Sequence, residues 1–181
     1  MPGPVFLRGE TVTLHPIEEA DLDFFRSQLN DPRVWRTISH REPTNARQER
    51  EWWESLDEAD GVDLLVAASV DGERTRVGHI GFGDVQQNWG VAELGYAIHP
   101  DHWNEGYATA AVALLTAFAF DERRLEKLVA TVYEHNPASM RALEKAGFHE
   151  EAVLDREAFV GGERVDLHRY AAFTDGWERP E

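Results

Sequence analysis

Residues 91–133 read VAELGYAIHPDHWNEGYATAAVALLTAFAFDERRLEKLVATVY, and this stretch decides the fold. Val91–His99 reads as a strand closed by Pro100, with Glu93, Gly95 and Ala97 falling on one face. From about Glu105 to Asp121 the chain is apolar on nearly every side (Ala108, Ala111, Val112, Leu115, Phe118, Ala119), which predicts a helix buried between layers. Lys127–Tyr133 is the next strand. Strand, helix, strand makes a right-handed parallel crossover. Ligands of open α/β sheets sit at the carboxyl ends of strands, which directs attention to His99–Thr109 and Glu134–Ser139.

Working outward, Phe6–Arg8 and Thr11–His15 read as strand pieces around Gly9, and Glu18–Leu29 as a helix stopped by Asn30-Asp31-Pro32. A second helix is predicted from about Thr44 to Asp57, with Thr44 as N-cap, Gln48 in reach, and Trp52, Trp53 and Leu56 on its core side. Leu64–Val70 and Arg76–Phe82 form a hairpin around Asp71-Gly72, and Gln86-Gln87-Asn88 marks the following turn. Pro137–Ala146 is a helix; Phe148–Leu154 and Arg164–Phe173 are closing strands around Gly161-Gly162. The fold class is α/β, one domain over 1–181 with a central mixed sheet flanked by helices.

Composition narrows the function. The 181 residues carry 34 acids against 18 Lys and Arg, a net charge of −16, and only Lys127 and Lys145 are lysines. That sign argues against nucleic acid or an anionic membrane as the partner. An acid-rich, Lys-poor chain reads as adaptation to high salt, a halophilic trait, with attraction of cationic amines as a secondary use. There is no Cys, so no disulfide framework or thiolate chemistry. MPGPVFLRGE lacks the pattern of a signal peptide, and the run Tyr107–Phe120 is shorter than the roughly 20 residues that cross a bilayer, so a cytoplasmic location is expected.

Three constellations carry chemistry. His102-Trp103-Asn104-Glu105-Gly106-Tyr107-Ala108-Thr109 follows a strand and opens the buried helix. Gly106 permits a tight turn, and the free first-turn N–H groups suit an anion such as a pyrophosphate; an ordinary loop-to-helix turn explains the same residues. Asn136-Pro137-Ala138-Ser139 fits an N-cap with Pro at N1, and Gly147 a C-terminal stop. Beyond capping, Asn136 can reach a ligand amide and Ser139 can place a hydroxyl in the same crevice. Glu93 is an acid in an interior strand: buried, it would suit a general base, and solvent-facing it would be an ordinary Glu. Gly78–Gly83 has the wrong glycine pattern for a dinucleotide site, and His99 with His102 lacks a third metal ligand.

With these residues in order, the chain resembles the GNAT acetyltransferases, within them the RimJ/RimL-like branch. The resemblance starts at Leu7-Arg8-Gly9-Glu10-Thr11-Val12-Thr13-Leu14 and includes Asn30-Asp31-Pro32-Arg33-Val34 and Glu93-Leu94-Gly95-Tyr96. It is strongest in Trp103–Thr109 and in Asn136–Ser139 through Glu144-Lys145-Ala146-Gly147-Phe148. It implies a sheet that splays between the strand holding Glu93 and the strand ending at Tyr133, with acetyl-CoA in the gap. Backbone N–H groups from about Asn104 to Thr109 would hold the pyrophosphate, helped by bases such as Arg141 or Lys145. The pantetheine arm would pair along Ile98 and His99, and Asn136 would hydrogen-bond it. No metal is expected.

The implied reaction is direct acyl transfer to a primary amine. Glu93 matches a position that supplies the base in some GNATs. Many GNATs begin the phosphate loop with Gln or Arg, where Trp103 stands here. Many carry a Tyr acid seven residues after the Asn; here that place is Leu143, and Ser139 is the branch's substitute, orienting the thioester. Some relatives place a catalytic Glu near the last hairpin, where Glu157 is displaced by one residue onto the opposite face. The best-known acceptors of the branch are protein α-amino groups, as in ribosomal proteins. Small amines (aminoglycoside, polyamine, amino acid) are the alternative, and a non-catalytic acyl-CoA sensor a further one. The acceptor pocket is expected from the helix around Arg33–Trp53, the Val85–Trp89 turn and the Glu157–Gly162 hairpin, which carry Trp35, Trp52, Trp53, Trp89 and Phe159, with Trp52 and Trp53 read as core. A homodimer through the closing strands is compatible with this reading.

Overall fold

A computed structural model gives the conformation of residues 2–180. The strands are β1 (Leu7–Arg8), β2 (Val12–Pro16), β3 (Val62–Val70), β4 (Glu73–Gln86), β5 (Val91–Ile98), β6 (Lys127–Tyr133), β7 (His149–Val160) and β8 (Glu163–Phe173). They form one sheet in the order β1-β2-β3-β4-β5-β6-β8-β7, antiparallel except for the β5–β6 pair. The helices are α1 (Leu22–Leu29), α2 (Pro32–Trp35), α3 (Ala46–Ser55), α4 (Tyr107–Asp121) and α5 (Pro137–Lys145).

Alternation along β3 assigns the two layers. Leu64, Val66 and Ala68 pack with α4 residues such as Ala111, Val112 and Leu115. Leu65, one step out of phase, packs with Ile17, Leu22 and Phe25 under α1, where Trp52, Trp53 and Leu56 join from the α3 side. Both Trp52 and Trp53 are half-buried rather than core, and the Trp53 indole N–H donates to the Ile17 carbonyl at 2.9 Å.

Several boundaries differ from expectation for local reasons. Asn45, not Thr44, caps α3: its Oδ1 accepts from the N–H groups of Arg47 and Gln48, and Gln48 Oε1 accepts from the Asn45 N–H, closing a capping box. Thr44 instead pairs with the Asn30 side chain. Asp31-Pro32 ends α1 but also starts α2, with Asp31 as cap and Pro32 in the first turn. The α4 helix lies against one face of the sheet rather than between two layers. Phe6 meets Phe118 edge-on at 5.2 Å, and Trp177 meets Phe120 at 5.6 Å, which covers its outer side. No helix among the described residues is long and apolar enough to cross a membrane.

β5 and β6 pair only at Val91–Lys127, Ala92–Leu128 and Glu93–Val129. Beyond Glu93, β5 stays with β4 while β6 stays with β8, so the sheet opens between them.

Candidate functional site

The divergence of β5 and β6 opens a cavity of about 1250 Å³. Its walls are residues 93–98 of β5, residues 130–133 of β6, the loop into α4 and the first turns of α5. The His99 N–H bonds the Val77 carbonyl on β4 at 2.8 Å. Strand alternation then turns the main-chain groups of Ile98 and Tyr96 the other way, into the gap. The Trp103 indole N–H donates to the Ile98 carbonyl at 2.7 Å and closes part of that edge. This contact was not legible in the sequence, which places Trp103 at the start of the phosphate-loop motif but gives its indole no partner.

Of the residues singled out for the cofactor, Ile98, Trp103, Asn104, Gly106, Tyr107, Ala108, Thr109, Asn136 and Ser139 line this cavity. His99 and Glu105 are not in its wall. Pairing with β4 takes up the His99 N–H, and its ring Nδ1 lies 3.3 Å from the Asp101 N–H, so the expected main-chain pairing falls to Ile98 alone of the two.

The loop into α4 turns through two left-handed residues, Asn104 at φ +67° and Gly106 at φ +80°. Gly106 is the N-cap, and a side chain at that φ would strain the turn. The first helical N–H to find an intrahelical carbonyl is that of Ala110, on Gly106. The N–H groups of Tyr107, Ala108 and Thr109 are therefore orphan donors at a helix's positive end. Arg141 and Lys145 line the same cavity, and neither has an ion pair among the described residues.

On α5, Asn136 Oδ1 accepts from the Ser139 N–H at 3.2 Å, so the cap predicted from sequence is present. Its amide nitrogen has no partner among the described residues. Ser139 Oγ lies 2.7 Å from the Tyr96 hydroxyl, which also reaches the Ser139 carbonyl at 3.2 Å. Burial pushes the Tyr96 phenol up to about 12, with the Ser139 hydrogen bond pulling it back. Sequence reasoning missed Tyr96, although Glu93-Leu94-Gly95-Tyr96 had been noted: its partner is 43 residues away. Leu143 is fully buried in the same wall.

Glu93 is exposed and not the buried acid considered from its strand position. Its Oε1 accepts from the Thr131 hydroxyl at 3.1 Å. Glu157 also reaches the cavity wall, contrary to the opposite-face expectation. The cause is a bulge: the β7–β8 register shifts between Leu154 and Ala158, and Arg156 adopts φ +51°.

A second cavity of about 460 Å³ adjoins the first and shares Ile38, Ser39, Glu93, Gly95, Tyr96 and Ala97 with it. Trp52 lines it. Trp89, 73% exposed, and Phe159, 63% exposed, line neither cavity, so the Val85–Trp89 turn and the hairpin tip contribute less than expected.

The chain as a whole is similar to known proteins. The acetyltransferase (GNAT) domain family matches residues 11–149. The Bacillus licheniformis protein p20, named an uncharacterized N-acetyltransferase, is 26% identical over 91% of this chain and 94% of its own length. YdaF of Bacillus subtilis (strain 168), provisionally named a ribosomal N-acetyltransferase, is 26% identical over 94% of this chain and 95% of its own. The crystal structure of spermidine N-acetyltransferase from Vibrio cholerae in complex with CoA and spermine superposes with a TM-score of 0.83 at 21% identity, covering 92% of this chain and 98% of that one. GNAT acetyltransferases use acetyl-CoA, and the protein is an acyltransferase enzyme. The chain belongs to the GNAT acetyltransferase family.

Proposed function

We propose that the protein transfers the acetyl group of acetyl-CoA to a primary amine, with the cofactor in the β5–β6 gap and the amine arriving over Glu93. The observation that carries this reading is the placement of two polar groups on opposite faces of β5. Glu93 and Tyr96 are three residues apart, so their side chains leave the strand on different sides. Ser139 stands with Tyr96 on the α5 side.

The residues present suit acetyl-CoA. Orphan N–H groups of Tyr107, Ala108 and Thr109, with Arg141 and Lys145, supply positive potential for the pyrophosphate. The gap-facing edge at Tyr96 and Ile98 suits main-chain pairing with the pantetheine amides, and the unpartnered Asn136 amide nitrogen adds a donor.

In the reaction the amine nitrogen forms a C–N bond to the thioester carbonyl carbon while the C–S bond breaks. Glu93, directly or through a water, takes the amine proton. Ser139, held by Tyr96, faces the sulfur side and supplies a proton or hydrogen bond to the departing thiolate.

For the acceptor, the RimJ/RimL-like resemblance and the name of YdaF support a protein α-amino group. The second cavity supports a small amine instead, as does the polyamine named with the Vibrio cholerae structure. Release of CoA from acetyl-CoA, followed with a panel of peptides and small amines, tests the reading. Acceptor-dependent release is expected; tight acetyl-CoA binding without turnover on any amine would make the protein a sensor instead.

A further inference from the structure

Resting on that acetyltransferase reading, we propose that the smaller cavity recognises a small organic dication, one ammonium held at Glu49 while the other amine passes Gly95 to the thioester.

Glu49 is the unusual group. It lies on α3 in a run of charged residues, yet is only 2% exposed, and its Oε1 has no hydrogen-bond partner among the described residues. A buried carboxylate oxygen without a donor is costly, and a bound N–H donor removes that cost. Burial holds the Glu49 carboxyl above its ordinary value, with His79 and Arg26 pulling it back. Gln28, also 2% exposed, has an amide nitrogen without a partner in the same wall.

The charges around this cavity favour a cation. Among the described residues Glu49, Asp63 and Glu93 line it, and no Lys or Arg does. His79 Nε2 is taken by Asp63 at 3.1 Å, and Arg26 is paired with Asp23 at 2.8 Å. The larger cavity is mixed, with Arg33, Arg36, Arg141 and Lys145 beside Asp84, Glu93 and Glu157. Trp52 offers an aromatic wall on which an alkylammonium can rest. The volume suits a small molecule.

Gly95 is the passage. It lies in the wall of both cavities, and a Cβ built there meets nothing within 4 Å. A glycine inside a strand with open space beside it marks close approach by a guest.

The test compares 1,6-diaminohexane with 1-aminohexane, which differ only in the second charge. The wild-type enzyme is expected to prefer the diamine in kcat/KM. Glu49→Gln should raise the diamine KM at least about tenfold, leave 1-aminohexane unchanged and not lower Tm. Equal losses on both amines, or an unchanged diamine KM, would overturn the assignment. Gly95→Val should cut diamine turnover while acetyl-CoA still binds; wild-type kcat/KM in that variant would overturn the passage. If peptides release CoA and diamines do not, this inference fails and the acetyltransferase reading stands. If no amine releases CoA, the acetyltransferase reading fails, and calorimetric titration of 1,6-diaminohexane into wild type and Glu49→Gln still decides the part of Glu49. Binding about tenfold weaker in the variant supports it, and equal binding removes it.

Discussion

The Tyr96 hydroxyl stands 2.7 Å from Ser139 Oγ and ties β5 to the first turn of α5 across the open part of the sheet. When Tyr96 donates, the Ser139 proton is free to point elsewhere. Ser139→Ala is expected to lower kcat on the order of 10²-fold. Tyr96→Phe acts through Ser139 and should cost about tenfold. With its phenol pushed up to about 12, Tyr96 stays protonated through the neutral and mildly alkaline range. The pH–rate profile of Tyr96→Phe should therefore keep the wild-type shape; a lost alkaline limb would show that Tyr96 titrates in the reaction.

Glu93 and Glu157 both reach the larger cavity, but only Glu93 also lines the smaller one. Glu93→Gln should lower kcat on the order of 10²-fold or more and flatten the acid limb of the pH–rate profile. Glu157→Gln should keep that limb. Unchanged turnover and profile in Glu93→Gln would remove it from the base role.

Asn136 has separable duties. Asn136→Asp keeps an oxygen for the Ser139 N–H and loses the amide donor, so Tm should hold while the KM for acetyl-CoA rises. Asn136→Ala loses both and should also destabilise by about 1 kcal/mol. Thermal melts beside acetyl-CoA titrations separate the two; an unchanged KM in Asn136→Asp would leave Asn136 a cap alone.

Glu49 should leave a signature in stability. Its folded-state value is raised, so the native protein holds that proton more tightly than the unfolded chain does. The resulting stability is present at low pH and lost as pH rises through the raised value. Glu49→Gln should therefore raise Tm at pH 8 more than at pH 4. A uniform loss of Tm would mean that the carboxylate supports the fold.

The charge of −16 yields a prediction separate from the site. Molar KCl should raise both Tm and activity by screening repulsion between acids. Maximum stability in dilute buffer would count against the salt-adaptation reading and leave the chemistry untouched.

How far the sequence could be read follows from where each interaction lies. β6 was legible to the residue, and α5 to within one, because Pro137 and Gly147 punctuate the chain locally. The turn into α4 was legible for the same reason: Gly106 permits the left-handed conformation that it adopts. Glu157 was misplaced because three residues of β7 between Leu154 and Ala158 stand opposite one of β8, with Arg156 left-handed, and nothing local in the sequence marks that bulge. Glu49 stands three, four and seven residues before Trp52, Trp53 and Leu56, so helical spacing puts it on the core side of α3; what the sequence hides is that its Oε1 finds no partner there among the described residues. The Tyr96–Ser139 contact depends on β5 and α5 meeting, which no local pattern encodes.

The parting of β5 from β6 leaves a seam of unsatisfied main chain in the middle of the sheet, joined below by three residue pairs. Such a seam invites a foreign strand, and the Trp103 indole on the Ile98 carbonyl and the α4 terminus guard its mouth. A ligand that lies along β5 completes the missing row of hydrogen bonds and splints the two half-sheets together. Cofactor loading should then slow amide exchange along the facing edges of β5 and β6 together, so that the bound molecule is as much a structural member of the sheet as a reactant.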